Sequence, residues 1–339
     1  MVQTLPFQPQ RSCPREAITG LELIKITFHG TKSQFDCAQK RKTLPTYHTK
    51  PNPTMEKILV PIDFSDFSRK ALDYAAMIAQ KAYSEITLCH ATVPHIPPGT
   101  NAHLYQQDIK EQTREAKQKL SELATEYTAK YDYDKDGKSL SVDFEIAEDL
   151  PADAIAEWVS ELDPYIIVMG TQGATGLQRV MLGSVTTAVM ERVRCPVMAI
   201  PEKAEVKSFD KIVYASNFDR RDSEVIDLLM NLASYFTADI ECLHINTDIQ
   251  KLKEAENRMA VLEEKYWFTS LNQLRFRIEK GEGGFEKGLD DYLSSHETDL
   301  LVMLTHERSF LEGLFHRSQT KNMAFHTTVP LLVFKSPKK

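Results

Sequence analysis

The chain contains the glycine-rich segment Gly170-Thr-Gln-Gly-Ala-Thr-Gly-Leu-Gln-Arg-Val-Met-Leu-Gly-Ser184 between two apolar ones. Residues 165–169 before it predict a buried strand, and residues 185–193 after it predict a helix. A loop of this kind brings backbone N–H groups close to a bound anion, and the helix N-terminus adds its partial positive charge. Glycine at positions 170, 173 and 183 lets phosphate oxygens approach without meeting a Cβ atom. The segment therefore predicts a phosphate site between a strand and a helix.

The glycine spacing in this segment excludes two common nucleotide motifs. It is neither the dinucleotide-binding fingerprint nor a P-loop, since no Gly-Lys-Ser/Thr is present. The pattern is Gly-x2-Gly-x9-Gly-Ser, and upstream of it stands the apolar segment Ile58-Leu-Val-Pro-Ile-Asp-Phe-Ser65. In this order and at this separation, the two segments resemble the phosphate-binding loop and the first strand of the universal stress protein family. The resemblance covers residues 55–201 and, with fewer matches, residues 207–336.

This resemblance implies a fold and a ligand. The fold is a doubly wound, Rossmann-like α/β domain with a five-stranded parallel sheet in the order 3-2-1-4-5. The ligand is ATP or a related adenine nucleotide (AMP or ADP), with Mg²⁺ carried mainly through the phosphates. Strands 1 and 4 flank the point where the strand order reverses, which is where ligands bind in such sheets. The implied cofactor-binding residues are Pro61, Asp63, Ala91, Gly170, Gly173, Gly183, Ser184 and Val185.

The resemblance also implies roles for these residues. Asp63 faces the adenine and ribose, and backbone near Ala91 contacts the base. Gly170 and Gly173 lie along the ribose and phosphates, whereas Gly183 and Ser184 hold the phosphates.

Several of these residue types have simpler explanations. Asp63 could satisfy backbone donors in the loop before the first helix, and Ser184 could serve only as a helix N-cap. His90 and His244 occupy equivalent strand positions and are interpreted as core histidines with one satisfied nitrogen. We therefore predict neither catalytic residues nor a metal site.

The chain contains one structural unit twice. Lys57-Ile-Leu-Val-Pro-Ile-Asp-Phe-Ser65 corresponds to Lys211-Ile-Val-Tyr-Ala-Ser-Asn-Phe-Asp219, and Arg194-Cys-Pro-Val-Met-Ala-Ile200 corresponds to Thr328-Val-Pro-Leu-Leu-Val-Phe334. Each copy alternates short apolar runs with amphipathic helices, which predicts a parallel sheet covered by helices on both faces. We expect two domains, residues 55–201 and 207–336, joined by a short polar linker at 202–208. The resemblance implies an intramolecular pseudo-dimer paired through the last strand of each unit, and it leaves a homodimer open.

The second copy departs from the phosphate-loop pattern. Leu304, Glu307 and Arg317 stand in place of Gly170, Gly173 and Gly183. In addition, Asn217 replaces Asp63, and only Ser318 is retained, opposite Ser184. Side chains at the three glycine positions obstruct a phosphate, and a glutamate repels it. We therefore expect one adenine nucleotide per chain, bound by the first copy.

Composition narrows the class of protein further. A length of 339 residues suits two domains, and a net charge of −7 argues against general nucleic-acid binding. There is no apolar run long enough to predict a membrane span. The five cysteines form no Cys-x-x-Cys pair, which favours a reducing cytoplasm over a disulfide framework.

The first 54 residues differ from the remainder of the chain. They carry eight Lys/Arg and three Asp/Glu, a net charge of +5, whereas the remainder carries −12. They show little hydrophobic periodicity, so two interpretations remain open: a basic tail with a role of its own, and a segment that is not part of the folded unit. Because Met55 directly precedes the first strand, an over-extended start is also an expectation.

The resemblance, together with the cysteine usage, implies a cytoplasmic protein of stress response, in which nucleotide occupancy tunes conformation or a partner. Two alternatives remain. One is a slow ATPase or an adenylyl-transferring enzyme, which would need a positioned base or cation near the phosphates; among the residues between Gly170 and Gly183, only Arg179 is charged. The other is an interaction module that carries no nucleotide.

Overall fold

The computed structural model describes residues 57–93, 102–131, 139–172, 183–267, 273–305 and 328–335, with side chains of the second range from residue 107 onward. These residues belong to one compact unit within 51–339. The expectations for residues 1–54 concern a segment outside the described ranges.

The described part of the first half contains five strands and four helices. They are β1 (Lys57–Pro61), α1 (Asp66–Ala82), β2 (Glu85–Ala91), α2 (Ala102–Lys130), β3 (Val142–Ala147), α3 (Pro151–Leu162), β4 (Ile166–Gly170), α4 (Ser184–Arg192) and β5 (Val197–Ile200). The second half repeats this order up to its fourth strand, and its fifth strand follows residues 306–327, which lie outside the described ranges. Its elements are β6 (Lys211–Ala215), α5 (Asp222–Phe236), β7 (Asp239–Asn246), α6 (Leu252–Tyr266), β8 (Leu274–Lys280), α7 (Phe285–Ser295), β9 (Leu300–Thr305) and β10 (Leu331–Lys335).

All ten strands form one sheet in the order β3-β2-β1-β4-β5-β10-β9-β6-β7-β8. Pairing is parallel within each half, and the first five strands show the 3-2-1-4-5 order that the resemblance implies. The halves meet where β5 and β10 pair antiparallel, with Ala199 opposite Leu331 and Val197 opposite Val333. The α/β class with a predominantly parallel sheet is therefore confirmed.

Helices cover both faces of the sheet, as the alternation of buried strand residues requires. In β1, Ile58 and Val60 join the cluster under α1, α2, α5 and α6, whereas Leu59 joins the cluster under α3, α4 and α7. Strands buried on both faces read as continuous apolar runs, which is why the repeat is visible in the sequence. Both clusters run from one half into the other, so the two halves share their hydrophobic core.

The linker at 202–208 is more than the polar connection that its sequence predicts. Within and just after it, Ala204 and Phe209 are buried, and the Phe209 ring lies 6.4 Å from that of Tyr74 and 4.9 Å from that of Phe236. Lys70 Nζ and Tyr74 Oη donate to backbone carbonyls of the linker. The linker is therefore packed along α1 and contributes to the contact between the halves.

Helix α1 begins at Asp66, directly after its N-cap Ser65. The Ser65 side chain accepts a hydrogen bond from the Ser68 N–H group and thereby caps the helix. Among the helices of the described ranges, none is both long enough and apolar enough to cross a bilayer.

Candidate functional site

A cavity opens where β1 and β4 end. Strand β1 pairs with β2 on one side and β4 on the other, so the chain connections leave the sheet in opposite directions at this point. The cavity has a volume of about 330 Å³. It is lined by Pro61, Ile62, Asp63, Ser68, Cys89, His90, Ala91, Pro151, Ile155, Trp158, Met169, Gly170, Gln172, Gly183, Ser184, Val185 and Thr186.

Seven of the eight residues predicted from the sequence line this cavity. Strand ends supply Pro61, Asp63, Ala91 and Gly170, and the start of α4 supplies Gly183, Ser184 and Val185. The eighth residue, Gly173, lies outside the described residues.

The carboxylate of Asp63 is exposed at the cavity and is partly engaged by its own loop. Its Oδ1 accepts the Ser65 N–H group at 3.1 Å and the Ser65 hydroxyl at 2.5 Å. The simpler role considered for Asp63, satisfying donors in the loop before α1, is therefore present. The nucleotide-binding role stays a prediction.

The residue after Asp63 has an uncommon backbone conformation. Phe64 has a φ of 63°, in the left-handed region, which costs a bulky residue on the order of 1–3 kcal/mol. Its ring lies 4.7 Å from that of His90. The equivalent residue of the second half, Phe218, has a φ of 56° and lies 5.5 Å from His244. The repeat therefore extends to the shape of the loop that follows its first strand.

Both strand histidines have one ring nitrogen engaged. The Nδ1 atom of His90 lies 2.7 Å from the carbonyl oxygen of Ile62, and that of His244 lies 3.0 Å from the carbonyl oxygen of Ser216. Since a carbonyl only accepts, Nδ1 is the protonated nitrogen in each ring. These contacts confirm the prediction that each histidine has one satisfied ring nitrogen. His90 also borders the cavity.

The glycines at both ends of the predicted phosphate loop are tightly surrounded. A Cβ atom at Gly170 would lie 3.0 Å from Phe67 Cβ and 3.1 Å from the Gln172 carbonyl oxygen, and one at Gly183 would lie 3.1 Å from the Thr171 carbonyl oxygen. The Gly183 N–H group donates to that same carbonyl at 2.5 Å. A side chain at position 170 or 183 would therefore require its neighbours to shift by a few tenths of an ångström.

Helix α4 begins at the cavity without a side-chain cap. Its N-cap is Gly183, and Ser184 is the first helical residue, so the idea that Ser184 is the N-cap was wrong. The Ser184 side chain is exposed, whereas Thr186 Oγ1 donates to the Gly170 carbonyl at 2.9 Å and ties α4 to β4. An uncapped helix start offers backbone N–H donors to an anion.

Sequence reasoning missed the apolar wall of the cavity. Pro151, Ile155 and Trp158 of α3 line it together with Cys89 and Met169 from strands. The first three are spaced i, i+4 and i+7, a signal of one helix face that was available in the sequence. Burial raises the pKa of the Cys89 thiol, so this wall remains uncharged.

The second half has its own cleft in the corresponding place. It opens at the ends of β6, β7 and β9 and has a volume of about 770 Å³. Leu304 lines it where the first half has Gly170, and Asn217 lines it where the first half has Asp63. The other substituted loop positions, Glu307 and Arg317, lie outside the described residues, as does Ser318. Among the residues that the structure describes, no group of three or more His, Cys, Asp or Glu side chains could hold a metal ion.

The fold and the site together define a doubly wound α/β protein with a glycine-edged cleft at the switch point of its sheet. The family model described as "Universal stress protein family" matches residues 54–201. Universal stress protein MJ0531 of Methanocaldococcus jannaschii is 31% identical over 149 residues, which cover 43% of this chain and 81% of that protein. Universal stress protein YxiE of Bacillus subtilis is 28% identical over 151 residues, covering 42% of this chain and 97% of that protein. The chain belongs to the universal stress protein family.

A solved structure matches the fold across both halves. The crystal structure of a universal stress protein from Archaeoglobus fulgidus has a TM-score of 0.61 and 20% identity. The match covers 83% of this chain and 96% of that one. At this identity the match demonstrates similarity of fold alone.

Proposed function

We propose that the first half binds one adenine nucleotide, ATP or a related AMP or ADP, in the cleft at the ends of β1 and β4. The observation that carries this proposal is that two distant segments of the chain meet at one cavity. Asp63 comes from the first segment, and Gly170, Gly183 and Ser184 come from the second. A volume of about 330 Å³ is within the range of small-molecule sites, roughly 300–1,000 Å³.

The chemistry of the lining supports this ligand. The uncapped start of α4 and the exposed Ser184 hydroxyl suit phosphate oxygens, which accept from N–H and O–H groups. The apolar wall of Ile155, Trp158 and Met169 suits the flat, weakly hydrated part of a nucleotide. Mg²⁺, if present, would be held through the phosphates, because it dehydrates reluctantly and keeps several of its own ligands.

The nucleotide is proposed as a regulator rather than a substrate. Of the titratable groups at this cavity, Cys89 stays protonated, and His90 uses Nδ1 for the Ile62 carbonyl. Asp63 Oδ1 is engaged by the N–H group and hydroxyl of Ser65. In the described residues of the cavity no lysine or arginine borders the uncapped helix start. Slow hydrolysis and adenylyl transfer remain the alternatives, and neither has a specific contact in its favour.

We also propose that residues 55–201 and 207–336 are two tandem domains forming an intramolecular pseudo-dimer. The antiparallel β5–β10 pairing and the shared core support this arrangement. In this arrangement the second domain covers the last strand of the first. A cytoplasmic location is proposed because Cys89, Cys195 and Cys242 are free thiols, as expected in a reducing compartment.

The two tryptophans of the chain provide a site-specific test. Trp158 is 7% exposed and lines the cavity, whereas Trp267 is 80% exposed and belongs to the second half. In Trp267→Phe, the remaining fluorescence reports on Trp158 alone. We expect ATP, ADP or AMP to change this fluorescence with saturation at one equivalent per chain, and GTP to bind at least tenfold more weakly.

Two further measurements complete the test. Calorimetry on the unmodified chain should give the same single site, and two equivalent sites would contradict the degenerate second half. Mass spectrometry of gently purified protein should detect any nucleotide carried along, which must be removed before titration. If stripped protein shows no saturable binding by either method, the nucleotide-free interaction module becomes the better description.

A further inference from the structure

The cleft of the second half is larger than that of the first and much more polar. Its charged lining residues are Asp219, Asp222, Asp248, Lys251, Glu254 and Arg258. Like the first cleft, it opens at the switch point of its half, where β6 pairs with β7 on one side and β9 on the other. Loss of the phosphate-loop glycines has therefore not closed the cleft.

A buried carboxylate organises the floor of this cleft. Asp222 is 3% exposed and accepts hydrogen bonds from the Tyr214 hydroxyl at 2.8 Å, the Ser216 hydroxyl at 2.5 Å and the Asp219 N–H group at 2.8 Å. The corresponding positions of Tyr214 and Ser216 in the first half hold Val60 and Ile62. Buried polar groups are costly unless their hydrogen bonds are complete, and this network is complete around Asp222. The second half thus has a rigid polar floor where the first half is apolar.

Helix α6 forms one wall with alternating charges. Lys251, Glu254 and Arg258 are spaced i, i+3 and i+7, so they share one face of the helix. Arg258 Nη1 donates to Glu254 Oε1 at 3.2 Å. The Nε atom of Arg258, however, is buried and has no hydrogen-bond partner among the described residues. The Arg258 side chain as a whole is 34% exposed, so the outer part of its guanidinium can meet an acceptor in the cleft.

The opposite wall carries negative charge. Asp219 lines the cleft, and in the described part of the chain no salt bridge engages Asp219 or Lys251. Burial, together with the positive charge of Arg258, lowers the pKa of His244, whereas Asp222 and Asp219 act on it in the opposite direction. His244 is therefore neutral near pH 7 and lies within electrostatic range of both charged walls.

The charges of the cleft limit the class of ligand. Among the described lining residues, Lys251 and Arg258 are outnumbered by the four carboxylates Asp219, Asp222, Asp248 and Glu254. This excess of negative charge disfavours a polyphosphate, and no metal-binding cluster exists among the described residues that would compensate for it. A suitable ligand brings an anionic acceptor for Arg258 and a cationic donor for the carboxylates.

We propose that the cleft of the second half binds a small zwitterion of the α-amino-acid type. Its carboxylate accepts from Arg258, in the geometry that guanidinium groups favour for carboxylates. Its ammonium group lies toward Asp219. This site is separate from the nucleotide cleft of the first half, and its occupancy does not depend on the nucleotide proposal.

The test uses the full chain and the twenty common α-amino acids as probes. Thermal unfolding identifies those that raise the melting temperature, and calorimetry then gives affinity and stoichiometry. We expect at least one amino acid to bind one per chain. Its N-acetyl derivative and its carboxamide should each bind at least tenfold more weakly, because each lacks one of the two charges.

Variants locate the binding in the second cleft. Arg258→Gln and Asp219→Asn should each weaken binding at least tenfold, and Arg258→Lys should also weaken it, since lysine lacks the planar, multi-donor guanidinium. Lys253→Gln, on the same helix but 80% exposed at its side chain, is the matched control and should bind normally. If Arg258→Gln does not fold, Asp219→Asn carries the test, since Asp219 makes no ion pair within the described ranges.

Three results would overturn this inference. They are the absence of stabilisation by any amino acid, binding that survives both substitutions, and equal affinity for the carboxamide. Adenine nucleotide binding is followed separately through Trp158 fluorescence. Failure of the zwitterion site therefore leaves the nucleotide proposal standing, and failure of the nucleotide proposal leaves the zwitterion site standing.

Discussion

At the scale of single residues, the two halves differ by a few substitutions at equivalent positions. Gly170 of the first half corresponds to Leu304, and Val60 and Ile62 correspond to Tyr214 and Ser216. The shape of the first loop is nevertheless the same, since Phe64 and Phe218 both adopt positive φ. Because the backbone is shared and the side chains differ, one fold can support sites of different chemistry.

Gly183 is the residue at which the phosphate site is tested most directly. Gly183→Arg introduces the residue that stands at the equivalent position of the second half, and it fills the space beside Ser184. We expect ATP affinity to fall at least tenfold, equivalent to about 1.4 kcal/mol, with folding intact by circular dichroism. Calorimetry on the full chain measures this loss.

Gly183→Ala is the matched control for this substitution. It adds only a Cβ atom, which would lie 3.1 Å from the Thr171 carbonyl oxygen. It should therefore disturb the backbone slightly and retain most of the affinity. Unchanged ATP binding by Gly183→Arg would mean that the phosphates lie elsewhere.

Asp299 is the residue on which the linker depends most. Its carboxylate pairs with Lys207 at 2.5 Å and accepts the N–H groups of Asp210 and Lys211 at 2.9 Å each. Burial by itself would raise the pKa of Asp299, but the hydrogen bonds from Lys207 and from the two backbone groups lower it below its usual range. A depressed folded-state pKa stabilises the fold above the unfolded pKa of about 3.9. That contribution is lost as the pH falls through the folded value.

Asp299→Asn should therefore lower the free energy of unfolding by about 2 kcal/mol at pH 7, the order expected for hydrogen bonds to a charged group. Urea denaturation of the variant and the unmodified chain, repeated at decreasing pH, measures the difference. We expect this difference to shrink below about pH 4, where the carboxyl becomes protonated. Lys203→Gln, an exposed linker position, is the control and should differ little at any pH. A difference independent of pH would rule out the charged form as the cause.

At the scale of elements, the antiparallel pairing of β5 with β10 explains why the last strand of each half is not an exposed sheet edge. All four residues of β5 are buried, and they are apolar. An unpaired strand of this composition would present free backbone groups and a hydrophobic surface to other chains. Pairing with β10 covers the strand within the same molecule.

Residues 55–203 expressed alone should therefore dimerise or aggregate, because truncation exposes β5. It also removes Phe209, whose ring contacts Tyr74 of α1. Light scattering at tens of micromolar measures the assembly state, with residues 55–339 in the same buffer as the control. A stable, soluble monomer of the isolated first half would refute the pseudo-dimer.

At the scale of the whole molecule, the described residues belong to one compact unit within 51–339 and share two hydrophobic clusters. The repeat begins with β1, immediately after Met55 and Glu56. The clefts proposed for the nucleotide and for the zwitterion both lie within this unit. We therefore expect it to account for stability and binding.

Deletion of residues 1–54 should leave the melting temperature and nucleotide affinity nearly unchanged. Scanning calorimetry and ATP titration of residues 55–339 against the full chain make the comparison. A melting temperature lower by more than about 5 °C, equivalent to about 1–2 kcal/mol, would instead mean that the first 54 residues stabilise the fold.

Local pattern was sufficient to predict the elements of the fold. Continuous apolar runs indicated the strands that are buried on both faces, and the correspondence between the two copies predicted the repeated order of strands. The glycine-rich segment and the first strand indicated the cleft, because each motif consists of residues that are close together in the sequence. The strand order followed from the family resemblance and is confirmed by the structure.

Tertiary structure alone decided which distant residues meet. Trp158 and Cys89 line the cavity, Phe209 packs on Tyr74, and Asp299 holds the linker, although each pair of partners lies far apart in the chain. The polar floor around Asp222 and the unpartnered donor of Arg258 likewise emerged only from the packed structure. The physical reason is that hydrophobic periodicity specifies which face of an element is buried. What that face touches depends on the register and packing of elements brought together by the whole fold.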